Sequence, residues 1–298
     1  MIHTKRTIVY EPHTQQAFRE FFGRMEDPEW VYSFCRNNMV DIATKFGYGI
    51  STEDAAFELM QESQTLKGLI VSLARGDNPE RSLQQVFRPL MNSESNLREL
   101  QLSKPSVKNK DNDKNPKLRI YAVRFSRLTY AVTGGAIKLT DRMEERPHTD
   151  QELKKMRKVK TWLNEEGIVF PEDLKIAYND NAKKLQKISL VEDPKWIDEA
   201  EQDLRKAEVR QKSRKLALRV LALLQKKGIS QTELAERMSV SRQQVTKIVK
   251  GNENLTLETI VKMEQALGET LITIPSSAST NVKIAAEPLT PYDNKDQS

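Results

Sequence analysis

Residues 228–251, "GISQTELAERMSVSRQQVTKIVKG", contain two helix starts in close succession. Ser230 and Glu233 make one capping box, in which the hydroxyl takes a backbone N–H three residues on and the carboxylate reaches back. Ser241 and Gln244 make the second. Only "MSVS" separates the two helices, so the turn between them must be tight. Leu234, Ala235, Met238, Val245, Ile248 and Val249 recur at helical spacing and are expected to face inward. Ala235 is small where the two helices must approach. Thr256 is the expected N-cap of a third helix, with Leu257, Ile260, Val261 and Leu267 closing the same core.

Charge concentrates around this stretch. From Arg205 to Lys250 there are thirteen lysines and arginines against three acids, Glu208, Glu233 and Glu236, although the whole chain is only +6. A surplus of that kind is either a solvated helix face or the footprint of a polyanion partner. Charge alone leaves both readings open. A helix begun at Ser241 presents its first turn outward, which places Arg242, Gln243, Gln244 and Lys247 where they meet base edges of a major groove. Arg237 and Lys250 add attraction independent of base sequence.

Residues 212–275 resemble the repressor- and antitoxin-type (XRE/HigA-like) helix-turn-helix family, through "QTELAERMSVSRQQVTKIVKG" and the following "NLTLETIVKMEQALG". The resemblance implies a double-stranded DNA operator as partner, a palindromic site and a homodimer. DNA contacts are then expected from Gln231, Ser241, Arg242, Gln243, Gln244, Lys247 and Lys250, with Gln231 at the family position that touches a phosphate. Ser239 departs from the pattern, because the family usually has glycine at that turn; a serine there must accept a left-handed backbone at a cost of about 1 kcal/mol. "ETLITIP", 269–275, is the candidate edge strand for pairing with a twin.

The middle of the chain has a different texture. "LRIYAVRF" and "LTYAVTGGAIKLT" are rich in β-branched and aromatic residues, so two or three antiparallel strands are expected. In the second run, Gly134, Gly135 and Lys138 lack the spacing and the following Ser/Thr of a phosphate-binding loop. Two readings stay open: a Gly-Gly hairpin, or one strand continued through glycines whose missing side chains admit a close neighbour. Beyond it, Thr149 and Glu152 suggest a capping box for an amphipathic helix with Leu153, Met156, Val159 and Leu163 as its stripe.

"NLRELQL", "KLRIYAVRF", "LTYAVTGGAIKLTDRMEERPHT" and the charged helix resemble the strand meander of RelE/HigB-type toxins, which cut mRNA on the ribosome. That resemblance implies a catalytic set of Arg119, Arg124, Lys138 and Arg142, with Arg146 and His148 nearby, since a ribonuclease must stabilise charge on phosphate and move a ribose proton. The tandem lysine common in the family is "IK" here, and its usual C-terminal tyrosine or histidine has no counterpart.

Before the strands, residues 14–92 read as helices, with stripes such as Phe18, Phe21, Phe22 and Met25, then Val31, Phe34, Cys35, Met39, Ile42 and Phe46. "SLQQVFRPLM" continues the pattern until Pro89 interrupts it. Residues 103–117 read as a solvated loop, 177–193 as a linker and 276–298 as a disordered tail.

The expected fold is α+β and mostly helical. A small antiparallel sheet lies in the middle region, with an all-α repressor-like helix-turn-helix domain near the C-terminus. The expected division is 1–92 helical, 93–176 toxin-like meander plus helix, 177–211 linker and lead-in helix, 212–275 DNA-binding domain and 276–298 tail. A single cysteine and three scattered histidines argue against disulfides and a zinc site, so no metal or cofactor is expected. No run approaches the roughly 18 apolar residues of a membrane span, and the start is too polar for a signal peptide, which points to the cytoplasm. The functional expectation is a DNA-binding regulator of toxin-antitoxin type, an antitoxin-like repressor fused to a toxin-like domain, with mRNA and the ribosome or a cognate toxin as further partners. Two alternatives are an mRNA endonuclease restrained in cis and a plain transcriptional regulator with an N-terminal sensor domain.

Overall fold

The structure, a computed structural model, describes residues 7–10, 17–75, 77, 87–90, 97–100, 116–124, 129–165, 167, 194–251 and 253–273. The expected linker at 177–193 and tail at 276–298 lie outside these residues, as does nearly all of the loop at 103–117.

In chain order the elements are β1 (Thr7–Tyr10), α1 (Ala17–Glu26), α2 (Pro28–Asn37), α3 (Met39–Phe46), α4 (Thr52–Arg75), β2 (Phe87–Pro89), β3 (Leu97–Leu100), β4 (Leu118–Arg124) and β5 (Thr129–Ile137). A short 3-10 turn (Met143–Glu145) leads into α5 (Pro147–Glu165), followed by α6 (Pro194–Arg205), α7 (Ala207–Lys227), α8 (Gln231–Arg237), α9 (Arg242–Val249) and α10 (Leu257–Leu267). The class is α+β and mostly helical, as expected. The sheet is larger than the sequence suggested. Five strands run in the order β1-β5-β4-β3-β2, antiparallel from β2 to β5, while β1 joins parallel to β5 with Thr7 opposite Thr129.

Two strands therefore come from the region expected to be helical throughout. "TIVY" is β1, and "FRP" is β2 rather than the end of a helix. Spacing within so short an apolar run cannot separate the two periods, and pairing with β3 decides. Pro89, which would break a central strand, is tolerated because β2 is an edge.

The two faces of the sheet are covered by different helices. Leu118, Ile120, Ala122, Tyr130, Val132 and Ile137 join the core built by α1–α4, while Tyr121, Val123, Ala131 and Ala136 pack under Leu153, Met156, Val159 and Leu163 of α5. "AVTGGAI" stays a strand through both glycines, which excludes the Gly-Gly hairpin. Gly135 faces α1: a Cβ there would stand 2.7 Å from Phe21 Cδ2 and 2.8 Å from the Arg119 carbonyl oxygen. Gly134 faces α5, where the Glu152 carboxylate fills the space a side chain would need. Glu152 is thus not part of a capping box. The helix begins two residues earlier, at Pro147, and the buried Thr149 hydroxyl donates to the Met143 carbonyl at 2.6 Å. Burial pushes the Glu152 carboxyl above the ordinary carboxylate range.

α7 joins this body to the C-terminal helices. Leu218, Val220, Leu221, Leu223 and Leu224 share one continuous core with α2 and α4 on one side and with α8–α10 on the other. A buried charge cluster sits at the same junction. Lys67 is paired with Glu26 and lies 3.6 Å from Asp203, and the Arg214 guanidinium is 3.4 Å from Glu26. Desolvation lowers the pKa of Arg214, and Glu26 opposes that shift. Among the described residues, no helix is long and apolar enough to cross a membrane.

Candidate nucleic-acid interface

Each helix start expected in the C-terminal region is present and capped. The Ser230 hydroxyl accepts from Glu233 N at 3.1 Å, Ser241 from Gln244 N at 3.2 Å and Thr256 from Thr259 N at 3.2 Å. Such a cap contributes about 0.5–2 kcal/mol. Gly228, left-handed at φ 66°, ends α7 and turns the chain into α8. Ser239 has φ 55° and is the one non-glycine residue with positive φ among those described, so it does accept the left-handed turn its position demands. Around it, Ser239 N donates to Glu236 O and Val240 N to Ala235 O, each at 3.0 Å.

Inside, Leu234, Ala235, Met238, Val245, Ile248 and Val249 are all buried, as their spacing predicts. Two residues of α10 are not. Leu257 is 73% exposed and Val261 47%, and Met263 is buried beside Ile260 and Leu267. All of these fit a helical stripe, and the rotation of α10 about its axis is set by its neighbour α8. The expected edge strand at 269–275 is also absent as far as the chain is described. Residues 269–273 form no strand, and the amides of Leu271 and Ile272 donate to the Glu264 carboxylate at 2.7 and 3.1 Å.

The outer face is where charge separates the residues. Most basic side chains of the 205–250 segment are engaged within the chain. Arg205 pairs with Glu201, Arg210 with Asp203, Lys212 with Glu208, Arg214 with Glu26 and Arg219 with Glu53. Lys226 and Lys227 share Glu269, Arg237 takes Glu233, and the Lys215 ammonium lies 5.2 Å from the centre of the Phe57 ring. Among the described residues, Arg242, Lys247 and Lys250, together with Lys206, make no ion pair or cation–π contact. Three of those four lie on or just beyond α9. Arg242, Gln243 and Lys247 are exposed, and Gln244 and Lys250 are half-buried. A capped short helix with a free arginine, an exposed amide and a free lysine on one side has the reach and donor set of a major-groove reader.

Residues 220–274 match a helix-turn-helix family model. No characterised protein and no solved structure matches the chain. The match supports a DNA-binding regulator with double-stranded DNA as partner. It covers the C-terminal helix-turn-helix domain only.

One contact of that domain had no signal in its own sequence. The Gln231 side chain donates from Nε2 to Glu29 Oε1 of α2 at 2.8 Å. Nearby, the Tyr32 hydroxyl donates to Gln225 Oε1 of α7 at 2.8 Å. The run "EDPE", 26–29, is visibly acidic, but nothing local says that it meets the start of α8.

Within the sheet, the catalytic set implied by the toxin resemblance is only partly gathered. Arg119 is opposite Ala136 on β5, and Lys138 follows two residues later with its N–H on the Lys117 carbonyl at 2.7 Å, so the two are diagonal neighbours at one end of the sheet. The Arg119 guanidinium donates to the carbonyls of Pro116 and Leu118, each at 2.9 Å. Arg124 pairs with Tyr130 at the other end of β4, about 16 Å away at strand rise. Arg142 is exposed beside the 3-10 turn. Arg146 is bound to Asp41 at 2.5 Å, and His148 Nε2 lies 2.8 Å from the Ile137 carbonyl with its ring edge-on to Phe34. Among the described residues no cluster of His, Cys, Asp and Glu is arranged to hold a metal ion. Burial raises the Cys35 thiol to about 12, far from a reactive thiolate.

Proposed function

We propose that this chain is a sequence-specific DNA-binding regulator that reads a palindromic operator as a homodimer, with α9 as the recognition helix. The observation that carries the reading is the distribution of cations. Arg242, Lys247 and Lys250 stay unpaired on one surface, while nearly every other basic side chain of the segment is neutralised within the chain. Arg242 and Gln243 are the base readers, Gln231 and the amides at the start of α8 take a phosphate, and Ser241 fixes where α9 begins. Lys247 and Lys250 supply salt-sensitive attraction. Residues 212–275 do this work, in the cytoplasm with the chromosome.

The test is footprinting on DNA upstream of the chain's own reading frame. Gln243→Ala combined with Lys247→Ala should abolish protection while leaving thermal unfolding unchanged, because both side chains are in solvent. Undiminished protection would remove the assignment of α9. Light scattering and the symmetry of the footprint test the dimer, and a monomer bound to an asymmetric site counts against it.

A second reading makes residues 93–176 a RelE/HigB-like unit, joined through 177–211 to its antitoxin-like half and preceded by residues 1–92. It is favoured by the antiparallel run β3-β4-β5 followed by a proline-led helix, and by Arg119 and Lys138 sharing one end of that sheet. Whether that unit cuts mRNA is decided by inducing the full chain. Growth arrest with transcript cleavage, lost in Lys138→Ala, supports an endonuclease. Equal growth of both leaves a regulator whose N-terminal part senses or docks.

A further inference from the structure

Helix α2 begins against the surface just assigned to DNA. Its N-cap, Asp27, holds its own helix, accepting from Glu29 N at 3.0 Å and Trp30 N at 3.3 Å. Pro28 is buried and reaches the end of α9: a Cβ on the buried, left-handed Gly251 would lie 3.2 Å from Pro28 Cγ. Glu29 reaches the start of α8, where its carboxylate accepts from Gln231 at 2.8 Å. The tip of α2 thus touches both ends of the two-helix DNA-reading unit, at Gln231 and at Gly251. Of the three acids in the run, Glu26 is paired with Lys67 and Arg214, and Asp27 is engaged by α2's own amides. The Glu29 carboxylate has the Gln231 amide as its side-chain contact across the junction.

We propose that the first turn of α2 is an intramolecular brake on DNA binding: Glu29 holds the Gln231 amide and sets a negative charge where the sugar–phosphate backbone would run. This rests on the reading of Gln231 as a phosphate contact. A phosphate arriving at the start of α8 must displace an acceptor already in place and meet like charge at contact distance, so DNA binds only as the Glu29 side chain swings away. α2 itself is anchored by Val31, Tyr32 and Cys35 in the shared core, so the tip cannot drift from the domain without disturbing that packing. DNA affinity is therefore coupled to whatever shifts α2 against α7, and the N-terminal body becomes the regulatory half of the molecule.

The experiment is fluorescence anisotropy of the full chain with a labelled duplex of about 20 base pairs and arbitrary sequence, since contacts to phosphate need no operator. Glu29→Ala should tighten binding by about fivefold or more at low salt, the order expected for removing one like charge at contact distance. The share of the gain that comes from freeing the Gln231 amide should vanish in a Gln231→Ala background, and the share that comes from lost charge should remain. Glu29→Gln keeps the shape and removes the charge, so it should tighten binding in the same direction by a smaller factor; it decides the matter if the alanine variant unfolds earlier on heating. Unchanged or weaker binding by both variants, with Gln243→Ala plus Lys247→Ala still abolishing protection of the operator in footprinting, overturns the brake and leaves the interface standing. Should that recognition-helix pair protect the operator as wild type does, the interface assignment fails and the brake fails with it.

Discussion

Ser239 is the residue at which the turn between α8 and α9 shows its constraint most plainly. Its φ of 55° is one that an L side chain adopts at a cost, and its side chain is exposed, so nothing compensates by packing. Ser239→Gly is expected to stabilise the chain by about 0.5–1 kcal/mol, read as a rise in Tm with DNA binding unchanged. A glycine also gains freedom in the unfolded chain, which is why the figure stays at the low end of the left-handed cost. This position was legible in the sequence, because two N-capped helices with four residues between them leave room only for a tight turn. Gln231 was legible in half. Its place at the head of α8 followed from Ser230, but its partner Glu29 lies 202 positions away in the chain and no local pattern reports such a pairing.

At the scale of elements, β5 shows what two adjacent glycines achieve in the middle of a strand. They let α1 and α5 press on the sheet from opposite faces at the same point, Phe21 over Gly135 and Glu152 over Gly134. Gly135→Ala should cost about 1–3 kcal/mol, because the new methyl meets the Arg119 backbone oxygen as well as the Phe21 ring, and a backbone oxygen within a paired strand has little room to yield. Equilibrium urea unfolding measures it, and a change within error would mean that the sheet relaxes more readily than its pairing implies. Periodicity placed the stripes of α1, α2, α5, α8 and α9 inward, and the described residues of those stripes are buried, Phe34 partly so. It failed where an element is short or its orientation is decided from outside. β2 has three residues and takes its conformation from β3, and α10 turns Leu257 and Val261 to solvent. Thr149 and Glu152 had the spacing of a capping box, yet the proline before them started the helix first.

For the whole molecule, the main feature that composition and motifs left hidden is that the C-terminal helices and the N-terminal body share one apolar core. A basic segment beside an acidic remainder looks like two independent units. In the structure much of that basic charge is matched to acids contributed by α1, α4 and α6, at Glu26, Glu53, Asp203 and their neighbours. Among the described residues, three of the segment's four cations left without an ion pair or cation–π contact lie on or just beyond α9, the helix proposed to read DNA. The parallel pairing of β1 with β5, and the burial of α2 and α4 against α7, have a consequence for how the chain comes into being. Loop closure over such separations is slow, and it has to wait for residues made much later. While the ribosome is still translating, the first strand has no neighbour on its β5 side; α2 and α4 can pack on each other and on α1, but the apolar faces that α7 covers stay open until α7 emerges. Apolar surface is therefore exposed on the ribosome for as long as it takes to make everything between α4 and α7, and a transcript cut short before residue 207 leaves a product that cannot finish its own core.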